Sequence, residues 1–215
     1  MTHEVLAEQV SYYRRRAAEY DATAYGDVGT AASRVERLVE QMQPRGAILE
    51  IACGTGMWTA ALARCASTLT AVDAAPETID VARARVVLPN VTFEVADVFT
   101  WATSQRFDVI FFAAWLSHVP TSLFDQFWAL LQPMLAAGGR VLFIDEHTDE
   151  LHKESYTEGG GEIVERTLLD GTQFHIVKNF IDPDDLSARL EQLGWDCRIH
   201  REGIDWVRGE ARPQH

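Results

Sequence analysis

The chain has 215 residues, of which 47% are hydrophobic and 24% charged, and a formal net charge of −13. That length and apolar content suffice for one domain with a full-sized core, and the charged fraction excludes wholesale disorder. So negative a balance argues against nucleic acid as the main partner, because a phosphate backbone needs a positive footprint.

In chain order, residues Val5 to Tyr20 read as an amphipathic helix, with Arg14-Arg15-Arg16 on its solvated face. Tyr25-Gly26-Asp27-Val28-Gly29 is loop chemistry, and Ala31 to Gln43 is a second helix ending before Pro44. Strands and helices then alternate. Ala47–Ile51 is a strand, Met57–Cys65 a helix, Leu69–Val72 a strand, and Pro76–Val87 a helix with Pro in its first turn. Val91–Val95 and the almost wholly apolar Phe107–Phe112 are further strands. A helix over Thr121–Leu135, broken near Pro133 and stopped by Gly138-Gly139, leads to a strand at Arg140–Ile144.

This alternation predicts an α/β fold: a doubly wound, mainly parallel sheet with helices on both faces. The pattern then changes. Glu162–Leu169 and Thr172–Lys178 flank Asp170-Gly171, a two-residue turn signal for an extra β-hairpin. A helix over Pro183–Leu193 ends at Gly194, and Trp195–Arg201 with Ile204–Arg208 forms an antiparallel C-terminal pair, bringing the sheet to seven strands.

Cys53, Cys65 and Cys197 have no paired spacing, which supports neither a disulfide framework nor a zinc knuckle and suits a reducing cytoplasm. No apolar run approaches the ~18 residues of a membrane span. The start of the chain is polar and arginine-bearing, unlike a signal peptide. The expectation is a cytoplasmic chain with no membrane partner.

Ala47-Ile48-Leu49-Glu50-Ile51-Ala52-Cys53-Gly54-Thr55-Gly56 carries the most chemistry. A strand closes on an acid and opens into a glycine-rich turn and a helix. In open α/β sheets ligands sit outside the carboxyl ends of the strands, and Gly54 and Gly56 let backbone approach a ligand there. Asp73 ends the second strand, where a carboxylate can accept both hydroxyls of a ribose, with Ala74 beside it. Asp97 follows the third strand and can accept from an exocyclic amine, while the N–H of Val98 faces a ring nitrogen. Cys53 reads as a small buried hydrophobe, and Asp73 has the competing role of capping the next helix.

Two cofactors fit such a crevice. A dinucleotide site wants G-x-G-x-x-G with an acid about 20 residues on. Gly54, Gly56 and Asp73 meet that pattern, but Thr59 holds the third glycine position and Glu50 has no role beside a pyrophosphate. A NAD-dependent oxidoreductase is therefore the alternative reading.

Glu50 to Gly56, Asp73 and Ala96-Asp97-Val98 together resemble the class I S-adenosylmethionine (SAM)-dependent methyltransferases over about Ala47 to Asp145. The resemblance implies that Glu50, Ala52, Gly54 and Gly56 surround the methionine part and that Asp73 and Ala74 hold the ribose. It also implies that Asp97 and Val98 contact adenine, that Ala113 lines the site, and that S-adenosyl-L-homocysteine (SAH) is the product. Ala52 departs from the family, which usually has its first glycine there.

Methyl transfer is an in-line displacement for which the protein mainly aligns the reactants. A hydroxyl acceptor also needs a base, and histidine suits that task. His118, after the fourth strand, and His147, after the fifth, are the catalytic candidates. Tyr13, Trp115 and Glu146 are candidate acceptor contacts. Against these stand a helix-capping or backbone-bonding role for His118 and a solvated acidic loop around His147. Magnesium held by Asp145, Glu146 and a histidine is weighed and not assigned.

No DNA-methyltransferase motif follows the fourth strand, where Ala113-Ala114-Trp115 stands. The Tyr12-to-Asp21 run with Trp115-to-Pro120 resembles small bacterial methyltransferases of saccharide and natural-product pathways. That likeness implies O-methylation of a saccharide-like hydroxyl, with N- or C-methylation of a natural-product intermediate as the alternative. It also implies an N-terminal helical lid over residues 1–43. The hairpin at 162–178 either walls the acceptor pocket or pairs with a second subunit as a homodimer.

Overall fold

Strand β1 (Gly46–Ile51) lies mid-sheet because its side chains are buried on both faces, with Ile48, Leu49 and Ile51 almost wholly shielded. In the computed structural model, which describes residues 2–157 and 161–214, β1 pairs in parallel with β2 (Ala66–Asp73) and with β4 (Phe107–Ala113). β3 (Val91–Val95) lies outside β2, and β5 (Leu135–Glu146) outside β4, both parallel. β9 (Trp206–Pro213) runs antiparallel against β5, with β8 (Trp195–Glu202) at the edge. The order is thus β3-β2-β1-β4-β5-β9-β8, the doubly wound sheet and antiparallel ending expected. Chain order reverses direction between β1 and β4, which places a ligand crevice at their carboxyl ends.

Period-two alternation sorts the core into two layers. Val109 and Phe111 of β4 face helices α3 (Val28–Met42) and α4 (Met57–Leu62), whereas Ile110 and Phe112 face α6 (Phe124–Leu131) and α7 (Pro183–Gln192). α5 (Pro76–Arg85) follows β2, and its Ile79 packs with Ala71 and Cys53. The separate hairpin pairs β6 (Ile163–Thr167) with β7 (Gln173–Val177). Its Val164, Phe174 and Ile176 bury Tyr12 of α1 (Thr2–Arg16), so hairpin and N-terminal helix share a small core.

Several boundaries differ from the sequence pattern, each for a local reason. The first helix stops at Arg16 rather than at Tyr20, and a second, α2 (Tyr20–Tyr25), follows over residues for which no helix is predicted beyond Tyr20. Asp21 of α2 is held by Thr55 and Arg85, a tertiary anchor that periodicity does not record. α3 begins earlier, at Val28, because the Asp27 side chain accepts from the N–H groups of Gly29 and Thr30. Gly138-Gly139 does not stop a helix but sits inside β5, where the register against β4 slips. Gly138 is left-handed (φ 74°), and a Cβ on Gly139 would meet the backbone oxygens of Phe107 and Ala136. The hairpin turn has three residues, 169–171, rather than two, because Leu168 N–H donates to Thr172 C=O with Gly171 left-handed.

One glycine in β9 is a packing requirement. Gly209 pairs with Phe143, and a Cβ there would fall inside the Phe143 ring, itself stacked on Phe112 at 5.5 Å. Gly209→Ala is expected to destabilise the protein by ~1–3 kcal/mol through overpacking, read as a lowered midpoint in thermal unfolding.

Candidate active site

The carboxyl ends of β1, β2, β3 and β4 open on one cleft, the kind of place where open α/β sheets hold ligands. Ala52, Gly54, Asp73, Ala74, Asp97, Val98 and Ala113, all candidates from the sequence, line it. Asp73 organises this wall. Its two oxygens accept from Gly54 N–H (2.9 Å) and Ala75 N–H (2.8 Å), joining the glycine-rich turn to the start of α5. The helix-capping role and the cavity-lining role therefore belong to one residue. Burial raises its pKa, while those two backbone bonds oppose the rise.

Two non-glycine residues at the crevice are left-handed: Ala52 (φ 54°) and Ala114 (φ 49°). Such a conformation is unfavourable for an alanine by ~1–2 kcal/mol, which explains why the related family prefers glycine at the first position. Gly54 (φ 53°) leaves open space where a Cβ would point, a cradle for a ligand to approach backbone. Gly56 has another task. It does not line the cavity but caps α4 at φ 80°, with Ala82 of α5 packed where its Cβ would stand.

Glu50 lies beneath this floor, 2% exposed, with Oε2 making no hydrogen bond. Burial, with the nearby Asp73 carboxylate, pushes its pKa up to about 8. The unpartnered Glu50 oxygen, the open space at Gly54 and the twice-bonded Asp73 fit a cofactor with an ammonium-bearing methionine end and a ribose, since a nearby cation favours the ionised form of Glu50. When bound there, SAM supplies an electrophilic methyl group on sulfur.

A second, more polar cavity adjoins the first. Tyr13, Tyr20, Ala114 and His118 line both, so they mark the junction. His118 is brought there by a 3-10 turn at Leu116–His118, after β4. Its Nδ1 is 2.7 Å from the Val177 carbonyl and its Nε2 is 2.9 Å from the Tyr13 hydroxyl. Burial, reinforced by the charge of Lys178, drives its pKa well below the usual histidine range.

His147 is not brought to either cavity. It is buried, and its Nδ1 accepts from Asp149 N–H at 3.0 Å, capping the turn that follows. Trp115 lines the cofactor cavity rather than the polar one, while Glu146 does reach the polar cavity. Asp145 accepts from the N–H groups of Ser117 and Glu146. Among the described residues no three His, Cys, Asp or Glu side chains gather as metal ligands.

The polar cavity also holds what the sequence hides. Arg16, Arg166 and Lys178 come to it from α1, β6 and the residue after β7. Arg14 and Arg15 do lie on an exposed face, paired with Glu77 and Asp170, but Arg16 is turned inward. Its guanidinium sits over the rings of Tyr20 (4.8 Å) and Tyr12 (5.5 Å) and bonds Thr23. Arg166 is paired with Glu154, and Lys178, 3% exposed, with Glu146 at 2.5 Å. The only available signal was that Lys178 is one of two lysines in the chain.

Two outcomes follow from the cofactor wall. Asp73→Asn replaces one oxygen by an NH₂ that would oppose a backbone N–H, so SAH affinity by calorimetry should fall at least about tenfold. For Glu50, the unfolded carboxyl ionises near the ordinary glutamate value of 4.5, whereas burial moves the folded one up to about 8. Between those values the native state holds the extra proton, so Glu50 makes stability fall as pH rises. Glu50→Gln should flatten that fall and raise the thermal midpoint of the ligand-free protein at pH 8 relative to pH 5.

Comparison with known proteins gives this geometry its context. A methyltransferase-domain family model matches residues 48–139, from β1 into β5. The ubiquinone biosynthesis O-methyltransferase of Xanthomonas axonopodis pv. citri (strain 306) is 32% identical over 168 residues, covering 75% of this chain and 67% of the relative. That of Xylella fastidiosa (strain 9a5c) is 33% identical over 184 residues, covering 82% and 70%. Two solved structures, the DhpI–SAH complex and the DhpI–SAM–HEP complex, are each 37% identical with a TM-score of 0.87. The first alignment covers 100% of this chain and 99% of DhpI, the second 99% and 100%. Family model, relatives and the crevice at the strand ends agree, and the chain belongs to the class I SAM-dependent methyltransferases.

Proposed function

We propose that this enzyme moves the methyl group of SAM to an oxygen of a small acidic acceptor, and that the acceptor's anionic group sits against Arg16, Arg166 and Lys178. The observation that carries this reading is the convergence of three cations on the polar cavity next to the cofactor crevice. Arg16 is held by aromatic faces and a hydroxyl, with its charge available to an oxyanion. Oxygen as the receiving atom is supported by the likeness to O-methyltransferases of ubiquinone biosynthesis. A small acceptor is supported by the likeness to DhpI, solved with SAM and HEP.

A saccharide hydroxyl, the acceptor expected from sequence, needs its proton removed. His118 suits that task poorly, because its lone pair faces the Tyr13 hydroxyl and its protonated form is disfavoured by burial and by Lys178. An oxygen that is already anionic needs no base, and the three cations hold it in the charged form. In this reading α1 and α2 act as the lid, β6–β7 walls the acceptor, and Glu146 fixes Lys178.

Methylation of a panel of carboxylates, phosphates and phosphonates against neutral sugars tests this. The acidic compounds should dominate kcat/KM, and activity should fall at low pH with a midpoint that follows each acceptor's own pKa. Arg16→Met should raise acceptor KM about tenfold or more, the loss expected for a charge-assisted hydrogen bond, with SAH affinity unchanged. Equal turnover of neutral sugars, or an unaltered KM in that variant, would sink the proposal.

A further inference from the structure

Arg16 and Glu19 stand on either side of one turn, where the chain leaves α1 for α2. The Glu19 N–H donates to the Arg16 carbonyl at 2.9 Å, closing that turn, and both residues line the polar cavity. Opposite charges three residues apart commonly pair with each other. These two do not, and among the described residues neither has an oppositely charged partner. Arg16 is turned to the Thr23 hydroxyl and to the faces of Tyr20 and Tyr12. Glu19 is the N-cap of α2, yet its side chain caps no N–H of that helix. Half-buried, it receives only the Leu169 N–H of the hairpin turn, at a long 3.4 Å. Of the two carboxylates that line the cavity, Glu146 is taken by Lys178, and Glu19 is taken by no cation.

The cavity also has a direction. Tyr13, Ala114 and His118 form its inner end, shared with the cofactor cleft. Thr23, Ala24 and Leu169 are exposed and form its outer end, where the bond to Leu169 places Glu19. An acceptor whose reacting oxygen faces the methyl group at the inner end extends its remaining atoms outward, and these meet Glu19. A plain anion would find Glu19 a like charge, whereas an ammonium group a few bonds beyond the acid would find it an opposite one.

We infer that the acceptor is a zwitterion, an amino-substituted acid whose ammonium group binds Glu19 while the acid group that receives the methyl lies against Arg16 and Lys178. This inference rests on the anionic-acceptor reading above and narrows it to one substrate class. A single turn of the lid then reads both charges of the acceptor, its cation holding the acid and its carboxylate the amine. Their failure to pair with each other is what leaves both available.

Acids that differ only in an amino group test this on the full chain near neutral pH. An aminoalkyl carboxylate and an aminoalkyl phosphonate are each compared with the plain alkyl acid and with the N-acetylated amine. The amino-bearing member should have a kcat/KM about three- to tenfold higher, the worth of one partly exposed ion pair, with the gain in KM. N-acetylation removes the positive charge and should abolish that advantage. Glu19→Gln should bring the ratio of amino to plain acid close to one, and Glu19→Lys should invert it. Equal turnover of amino and plain acids by the native enzyme, with both ahead of neutral sugars, would overturn the ammonium site and leave the anionic acceptor standing. If neither acid outruns neutral sugars, both readings fall. An advantage that survives N-acetylation or Glu19→Gln would also overturn the assignment.

Discussion

One half-buried carboxylate holds the cofactor crevice together. Asp73 takes the N–H of Gly54 with one oxygen and that of Ala75 with the other, so the turn after β1 and the start of α5 share a single anchor. Gly56 then packs its bare Cα against Ala82 of α5. That anchor, with the Arg85 guanidinium on the Thr55 carbonyl and Cys53 N–H on the Val72 carbonyl, keeps the strained Ala52 and the glycine-rich turn in position. The cavity is built on this constraint, which combines an anion's preference for several donors with the preorganisation a cofactor site needs.

The same principle operates in the polar cavity with the opposite sign. There, cations from α1, β6 and the end of β7 converge, and each is held by a neighbour of another kind. Glu154 holds Arg166, Glu146 holds Lys178, and two tyrosine rings hold Arg16. A chain with net charge −13 thereby concentrates positive groups in one recess. Overall charge describes solubility and long-range steering, whereas the local field at a reacting group is set by the few side chains around it. Excluding nucleic acid on net charge is compatible with the proposed anionic acceptor for this reason.

The hairpin β6–β7 and the helix α1 depend on each other. Tyr12 is buried among Val164, Phe174 and Ile176, Glu8 accepts from His175 N–H, and Gln9 bonds Val177. Exposed ion pairs of α1 to Glu77 and Asp170 add little, since such pairs contribute ~0–1 kcal/mol. The shared apolar patch and the buried Gln9 amide are what seat α1 over the site.

By itself the sequence determined the elements whose cause is local. β3 runs over Val91–Val95 as its β-branched pattern indicates, α5 begins at Pro76, and α7 follows the Asp182 cap. Acids and glycines at consecutive strand ends marked the cofactor wall, because a strand's carboxyl end and the turn after it are contiguous in the chain. Tertiary structure alone decided the rest. Gly138-Gly139 became a slip within β5 rather than a helix stop, since the neighbouring β4 carries the register. Arg16 turned inward while Arg14 and Arg15 stayed outside, and His147 caps the turn after β5. Lys178 and His118 are 60 positions apart, and only the docking of the hairpin under α1 brings them together. Long-range convergence leaves no period in the sequence, because it depends on which elements pack and not on any run of neighbouring residues.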